Sequence, residues 1–269
     1  MRILLTFAFF LLFVVGIKAQ RIYEVTTVDD IDDGVCNAEH CSLREAINVA
    51  NADGVNSLIW FKINGPGTKV ITLDTELPAI SDRLKIDGNT LASNLPTTGR
   101  LVLDGNGLIK NGLHLATSKV EIYGVQFQQF FFFFFLIESP NTYFISEVTL
   151  GKREKGNIFI KNGNAVSAKN LQDLVFQANY VGTNLGFEEG LGNQNGIIVD
   201  NSWIAAENSL LIIGGESDRL QHNYFASSTQ VALSLSYQGI ATIEGNTFGT
   251  GKIGNEDLGN TIAVQTKNG

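Results

Sequence analysis

Apolar positions along the chain follow two rhythms. Near the front, Leu43, Ala46, Ile47 and Ala50 recur at helical spacing. Directly before them stands Ser42, with Glu45 three positions on, the arrangement of a capping box. In it the hydroxyl accepts from an orphan backbone N–H and the carboxylate reaches back to the N–H of the cap. A short helix over Ser42–Ala52 with one apolar face is predicted. Elsewhere the rhythm is that of strands. Arg21 to Val28 alternates and is β-branched, and Ser57 to Ile63 is apolar at nearly every position before Gly65-Pro66-Gly67 closes it. From Lys69 onward short β runs alternate with Gly/Asn turns, and no further helix is predicted.

Those runs repeat. Ile86-Asp87-Gly88-Asn89, Leu103-Asp104-Gly105-Asn106 and Ile243-Glu244-Gly245-Asn246 share one template, and Ile122-Tyr123-Gly124 is a degraded copy. Asn179, Asn201, Asn223 and Asn246, each followed by a polar or aromatic residue and then an apolar one, recur at a nearly constant interval. A longer unit, from Asn179-Tyr180-Val181-Gly182-Thr183 to Leu191-Gly192-Asn193, returns without a gap as Asn246-Thr247-Phe248-Gly249-Thr250 to Leu258-Gly259-Asn260. A fixed return of this kind is expected of an all-β solenoid, a parallel β-helix with coils of about 22 residues. Each coil leaves its apolar face open until the next stacks on it. Asparagine suits the corners, since it tolerates left-handed backbone and passes amide hydrogen bonds up a column.

The six phenylalanines Phe130 to Phe135 break the pattern. Between Val125 and Asn179 the chain is longer than two such coils require, by roughly ten positions, so an insertion is expected near 128–145. The run reads as an extruded loop, a sticky interaction surface or a coding irregularity without function, and the last is preferred. The expected organisation is a signal peptide over 1–19, a strand, cysteine loop and capping helix over 20–56, and the β-helix over 57–269.

Composition narrows the partners. A formal net charge of −8 argues against nucleic acid, which needs a basic footprint, and against anionic lipid. Arg2, the apolar stretch Ile3–Ile17 and Ala19 before Gln20 are the parts of a secretory signal, short for a bilayer span, with an uncleaved anchor as the lesser alternative. With the signal removed, no integral membrane span is expected. Outside the cytoplasm Cys36 and Cys41 can pair. A loop this small contributes only about 2 kcal/mol in the chain-entropy picture, so the bond would set local shape. Their spacing is not that of a redox or metal pair. Asp29-Asp30-Ile31-Asp32-Asp33-Gly34 resembles a calcium loop, but Ile31 stands where an oxygen ligand belongs. A solvated acidic turn is the better reading. No cofactor or metal is expected.

The string Cys36 to Asn51, Cys-(x)4-Cys-Ser-Leu-Arg-Glu-Ala-Ile-Asn-x-Ala-Asn, preceded by Val25-Thr26-Thr27 and an acidic Gly turn, resembles the CSLREA domain of secreted bacterial proteins. The Asn-Tyr-Val-Gly-Thr-Asn and Gly-Asn-Thr-Phe-Gly-Thr units resemble the repeats that follow it. The resemblance implies a right-handed parallel β-helix, export and a bacterial envelope context; the preferred reading is an adhesin-like surface protein that binds glycans or other surfaces through its long flat face. It implies no reaction. Relatives of this kind continue into further coils and an anchor, so the chain is expected to be a truncated member. The helix Ser42–Ala52 is expected to lie over the open bore of the first coil.

β-Helices also host carbohydrate-active enzymes, and Asp200 and His222 are the best acid/base pair available. One expected coil apart, they would stack about 4.8 Å from each other, where a carboxylate raises and orients an imidazole. The preferred reading is two polar residues beside the asparagine corner. Asp87, Asp104 and Glu244 read as turn residues.

Overall fold

The computed structural model describes residues 20–90, 100–138, 144–201, 210–215, 219–237, 239–251, 254 and 257–267. The expected signal peptide lies outside them. Three sheets carry the fold. The first runs through Arg21–Val25, Ser57–Phe61, Leu84–Asp87, Val120–Tyr123, Val148–Leu150, Asp173–Phe176, Leu210–Gly214 and Ile240–Glu244. The second stacks Lys69–Thr72, Leu101–Asp104, Val125–Gln128, Ile158–Ile160, Tyr180–Val181, Tyr224–Phe225 and Thr247–Phe248. The third stacks Asn111–Leu115, Phe133–Ile137, Asn164–Lys169, Asn195–Asp200, Val231–Ser236 and Ile262–Thr266. Neighbours in each sheet pair in parallel. From Leu84 on the chain visits first, second and third sheet in turn, so each circuit is one coil of a parallel β-helix.

The strands are short and β-branched because each presents only two or three side chains inward. Those from all three sheets merge into one apolar core. A file of rings runs through it: Phe127, Phe159, Phe176, Phe225 and Phe248 stack with centroids 5.3, 5.9, 6.1 and 4.9 Å apart. Offset stacking adds to the burial each ring already provides.

Buried asparagines hold the corners. Asn179 Oδ1 accepts from Asn157 N–H at 2.9 Å, while Asn179 Nδ2 donates to the Leu150 carbonyl at 2.8 Å. Asn223 repeats this, accepting from Asn179 N–H at 2.8 Å and donating to Phe176 O at 2.8 Å. Its Nδ2 also donates to Asn246 Oδ1 at 2.9 Å, and Asn246 Nδ2 donates to Ile213 O at 2.7 Å. The column is therefore Asn157, Asn179, Asn223 and Asn246. Asn201 is not part of it. At the end of a third-sheet strand, Asn201 satisfies both N–H and carbonyl of Leu171. The steps of the column are 22, 44 and 23 residues. Asn201 has the right spacing because it lies half-way round a coil of double length. In the third sheet the successive steps are 22, 31, 31, 36 and 31 residues. The coils vary in circumference. The long repeated unit spans two coils, and both its ends recur at equivalent corners: Asn193 and Asn260 each donate to a second-sheet carbonyl, Phe159 O and Phe225 O.

The phenylalanine run is no insertion. Phe133–Ile137 pairs on both sides, with Asn111–Leu115 and with Asn164–Lys169. Phe130, Phe134 and Phe135 are buried in the core. The extra length in this coil joins regular strands, and 139–143 lie outside the described residues.

The helix runs Leu43–Ala52 with the expected capping box, Ser42 N–H donating to Glu45 Oε2 at 2.8 Å and Glu45 N–H to Ser42 Oγ at 3.2 Å. Leu43, Ala46, Ile47 and Ala50 are buried and belong to the common core. The helix lies on the segment after Lys69–Thr72: Arg44 donates to the carbonyls of Thr75 and Glu76, and Asn51 donates to Ala79 O and accepts from Ser81 N–H. In the first circuit it takes the place of the missing strands. Cys36 and Cys41 form a disulfide. At the far end Ile240, Ile262 and Val264, on the last strands of the first and third sheets, are exposed.

Two outcomes are expected. Asn223→Ala leaves buried corner groups unpaired and lowers unfolding free energy by about 1–3 kcal/mol in urea denaturation; Asn201→Ala does the same at its separate corner. The second concerns pH. Burial works to raise the pKa of Asp53, but Ser57, the Val55 N–H, Tyr23 and Arg21 outweigh it and hold the pKa below 3.8. A depressed folded pKa gives stability that is complete above the unfolded value and lost as pH falls through the folded one. Melting temperature therefore declines as pH drops below 3.8, and Asp53→Asn makes that decline shallower.

Candidate functional site

Asp200 and His222 do not meet. Asp200 ends a third-sheet strand, in register with Lys169 and Ser236. His222 leads into the second-sheet strand Tyr224–Phe225, with its ring against Gly245, where an added Cβ would approach Nε2 to 2.9 Å. The coil separating Asn179 from Asn223 has 44 residues, so an offset of half that length carries a side chain to another sheet instead of to the next coil. Asp87 and Asp104 are turn residues, each accepting from the N–H two positions on.

The acidic turn is latched to protein. Asp30 forms a two-point pair with Arg44, at 3.1 and 2.6 Å, and also accepts from Asp74 N–H. Asp29 faces His40 Nε2 at 3.2 Å. Burial raises the Asp29 pKa, and hydrogen bonds from Thr27, Ile31 N–H and His40 bring it below the ordinary value. Glu45, wholly buried, accepts from Asp33 N–H as well as Ser42 N–H, and its Oε2 lies 3.3 Å from His40 Nδ1. Asp33, His40 and Glu45 thus bring three donor atoms within 4.8 Å of one another. The carboxylates tie the cysteine loop to the helix start.

Among the described residues an open groove of about 740 Å³ lies at the corner between second and third sheets. Its wall is built by the phenylalanine run. Corner residues Gln129 and Lys161 have φ of 61° and 56°, a left-handed bend that turns their side chains outward. The backbone beyond is held from both sides: Phe131 N–H donates to Ile109 O and Phe132 N–H to Lys110 O, while Gly163 N–H donates to Phe130 O and Asn164 N–H to Phe132 O. Gly163 permits that approach, since a Cβ there would come 2.3 Å from Phe132 O. With the strand pinned, Phe130 and Phe134 go inward and Phe131 and Phe132 outward, 63% and 46% exposed. Their rings meet edge to face at 4.9 Å. Gln129, Lys161 and Gln194 complete the rim. The groove therefore offers a fixed aromatic surface beside amides and one ammonium. Sequence reasoning noted the greasy run but could not divide its faces, because alternation is invisible when every residue is phenylalanine.

No family model, curated protein or solved structure matches the chain. Among the described residues no helix is long and apolar enough to cross a membrane.

The two faces of the run separate by stability. Phe134→Ala removes a ring stacked 3.8 Å from Phe127 and costs about 3–5 kcal/mol. Phe131→Ala changes unfolding free energy by no more than about 0.5 kcal/mol. Equal losses at both positions would contradict this division.

Proposed function

We propose that the chain is an exported, surface-associated β-helix of the CSLREA type that binds glycan without catalysis. The observation carrying this reading is the outward pair Phe131 and Phe132, exposed beside Gln129, Gln194 and Lys161 on a backbone bonded from both sides. A sugar ring has an apolar C–H face and a rim of hydroxyls. An aromatic surface covers the first, and amides that both donate and accept answer the second. Two adjacent large apolar side chains left in water on a backbone bonded from both sides are better explained by such a partner than by the fold. The run that looked functionless in the sequence becomes the binding element.

Export has separate support. A disulfide closes a loop of the N-terminal segment, and such bonds persist in oxidising compartments. The register, which separates Asp200 from His222, gives the enzymatic alternative no assembled acid/base pair.

Glycan-array and calorimetric binding test the reading. The protein is expected to retain one or more neutral polysaccharides, and Phe131→Ala with Phe132→Ala to weaken that binding by about tenfold or more, a change of about 1.4 kcal/mol, at unchanged melting temperature. Binding that survives the double substitution would remove the groove from the account.

A further inference from the structure

Away from the groove, on the outer face of the first sheet, three ammonium groups converge on one aromatic ring. Tyr123 points outward from Val120–Tyr123 yet is fully buried. Lys152 Nζ lies 4.1 Å from its ring centroid, Lys85 Nζ 5.3 Å and Lys155 Nζ 5.4 Å. In a chain with net charge −8, this is a local concentration of positive charge.

The backbone fixes two of the lysines. Lys152 and Lys155 exchange backbone hydrogen bonds of 3.2 and 2.8 Å, closing a small antiparallel turn. Glycines flank it, and both press on the next coil: a Cβ on Gly151 would lie 2.2 Å from Gln177 O, and one on Gly156 1.6 Å from Ala178 O. Glu154 N–H, at the tip, donates to Leu220 O at 3.1 Å. The turn is held at its base and its tip, so the two ammoniums are presented and do not trail in solvent.

The charges are incompletely answered. Lys155 pairs with Asp87 at 3.3 Å and Lys85 with Glu121 at 3.8 Å. Lys152 pairs with no carboxylate among the described residues. The Tyr123 hydroxyl, on the side of Lys85, and the Trp60 indole N–H are both buried with no hydrogen bond of good geometry. Trp60, Asp87 and Tyr123 occupy one row of the sheet, in register on consecutive strands. Three ammoniums stand against two carboxylates, Asp87 and Glu121, which leaves the charge of Lys152 to be answered by an anion from outside.

We propose that Lys152 and Lys155 bind the anionic substituent, carboxylate or sulfate, of an acidic glycan lying on the first sheet, with the buried Tyr123 ring beneath them as the support on which the ammoniums rest. This rests on the reading of the chain as a glycan binder and adds the class of glycan and a second contact surface. The ligand is extended, because the cluster sits on an open face and not in an enclosed cavity. Shallow grooves of about 280 and 380 Å³ continue along that face, and Glu121, Glu147 and Asp173 among their lining confine the attraction for an anion to the lysine turn. A protein this acidic repels polyanions overall, so any attachment has to be local.

Binding of the full chain to immobilised polyuronate, a sulfated polysaccharide and a neutral polysaccharide tests the proposal. The protein is expected to hold at least one of the acidic polymers, and which one identifies the substituent. Lys152→Ala with Lys155→Ala should weaken that binding about tenfold or more and reduce its salt dependence, while neutral-glycan binding at the groove stays unchanged. If the double variant does not fold, Lys152→Glu carries the same test, since Lys152 holds no ion pair among the described residues. Retention of neutral glycan with neither acidic polymer bound overturns this proposal alone, as does an acidic polymer bound equally by wild type and variant. Failure to bind any of the three overturns the glycan reading itself.

Discussion

A chain that winds in coils must turn at every corner, and at a corner the backbone leaves its ladder. The N–H and C=O groups stranded there are buried by the coils on either side, where an unpaired amide is expensive. Asparagine resolves this because its side chain copies the peptide group, one acceptor and one donor in a plane. Asn179 and Asn223 each answer an N–H of the coil on one side and a carbonyl of that same side's preceding strand. The columns allow the sheets to stack in register, the register aligns the phenylalanine file, and the file supplies much of the core. Remove the corner amides and the buried corner groups lose the pairing that supplements the strand ladders.

Much of this was legible. The capping box of Ser42 and Glu45, the apolar face of the helix and the turn roles of Asp87 and Asp104 follow from local rules that burial does not alter. The Gly/Asn repeats identified a parallel solenoid, since only stacking gives a recurring turn a structural meaning. Circumference was not legible. A coil can lengthen at any corner without disturbing its neighbours' ladders, so a residue count measures path and not position. Asn201 falls at a regular interval by sequence and at a different corner in space, and the Asp200–His222 pair dissolves for the same reason.

The phenylalanine run shows a second kind of illegibility. Its two faces differ completely, Phe134 in the core and Phe131 in water, yet the letters are identical. Direction came from flanking residues: Gln129 in a left-handed corner and Gly163 opposite fix which ring turns out. The lysines around Tyr123 were equally hidden, since Lys85 and Lys152 are brought together only by strand order.

Variable circumference on a constant stack has a geometric consequence. Adjacent coils are spaced by the strand separation, about 4.8 Å, whether a circuit takes 22 residues or 44. Distance along the axis is therefore counted in coils and is indifferent to loop length. A coil may gain or lose residues at a corner while the sites above and below it keep their spacing. The molecule is a ruler with fixed graduations and adjustable width, and side chains placed on successive coils repeat at intervals set by the backbone.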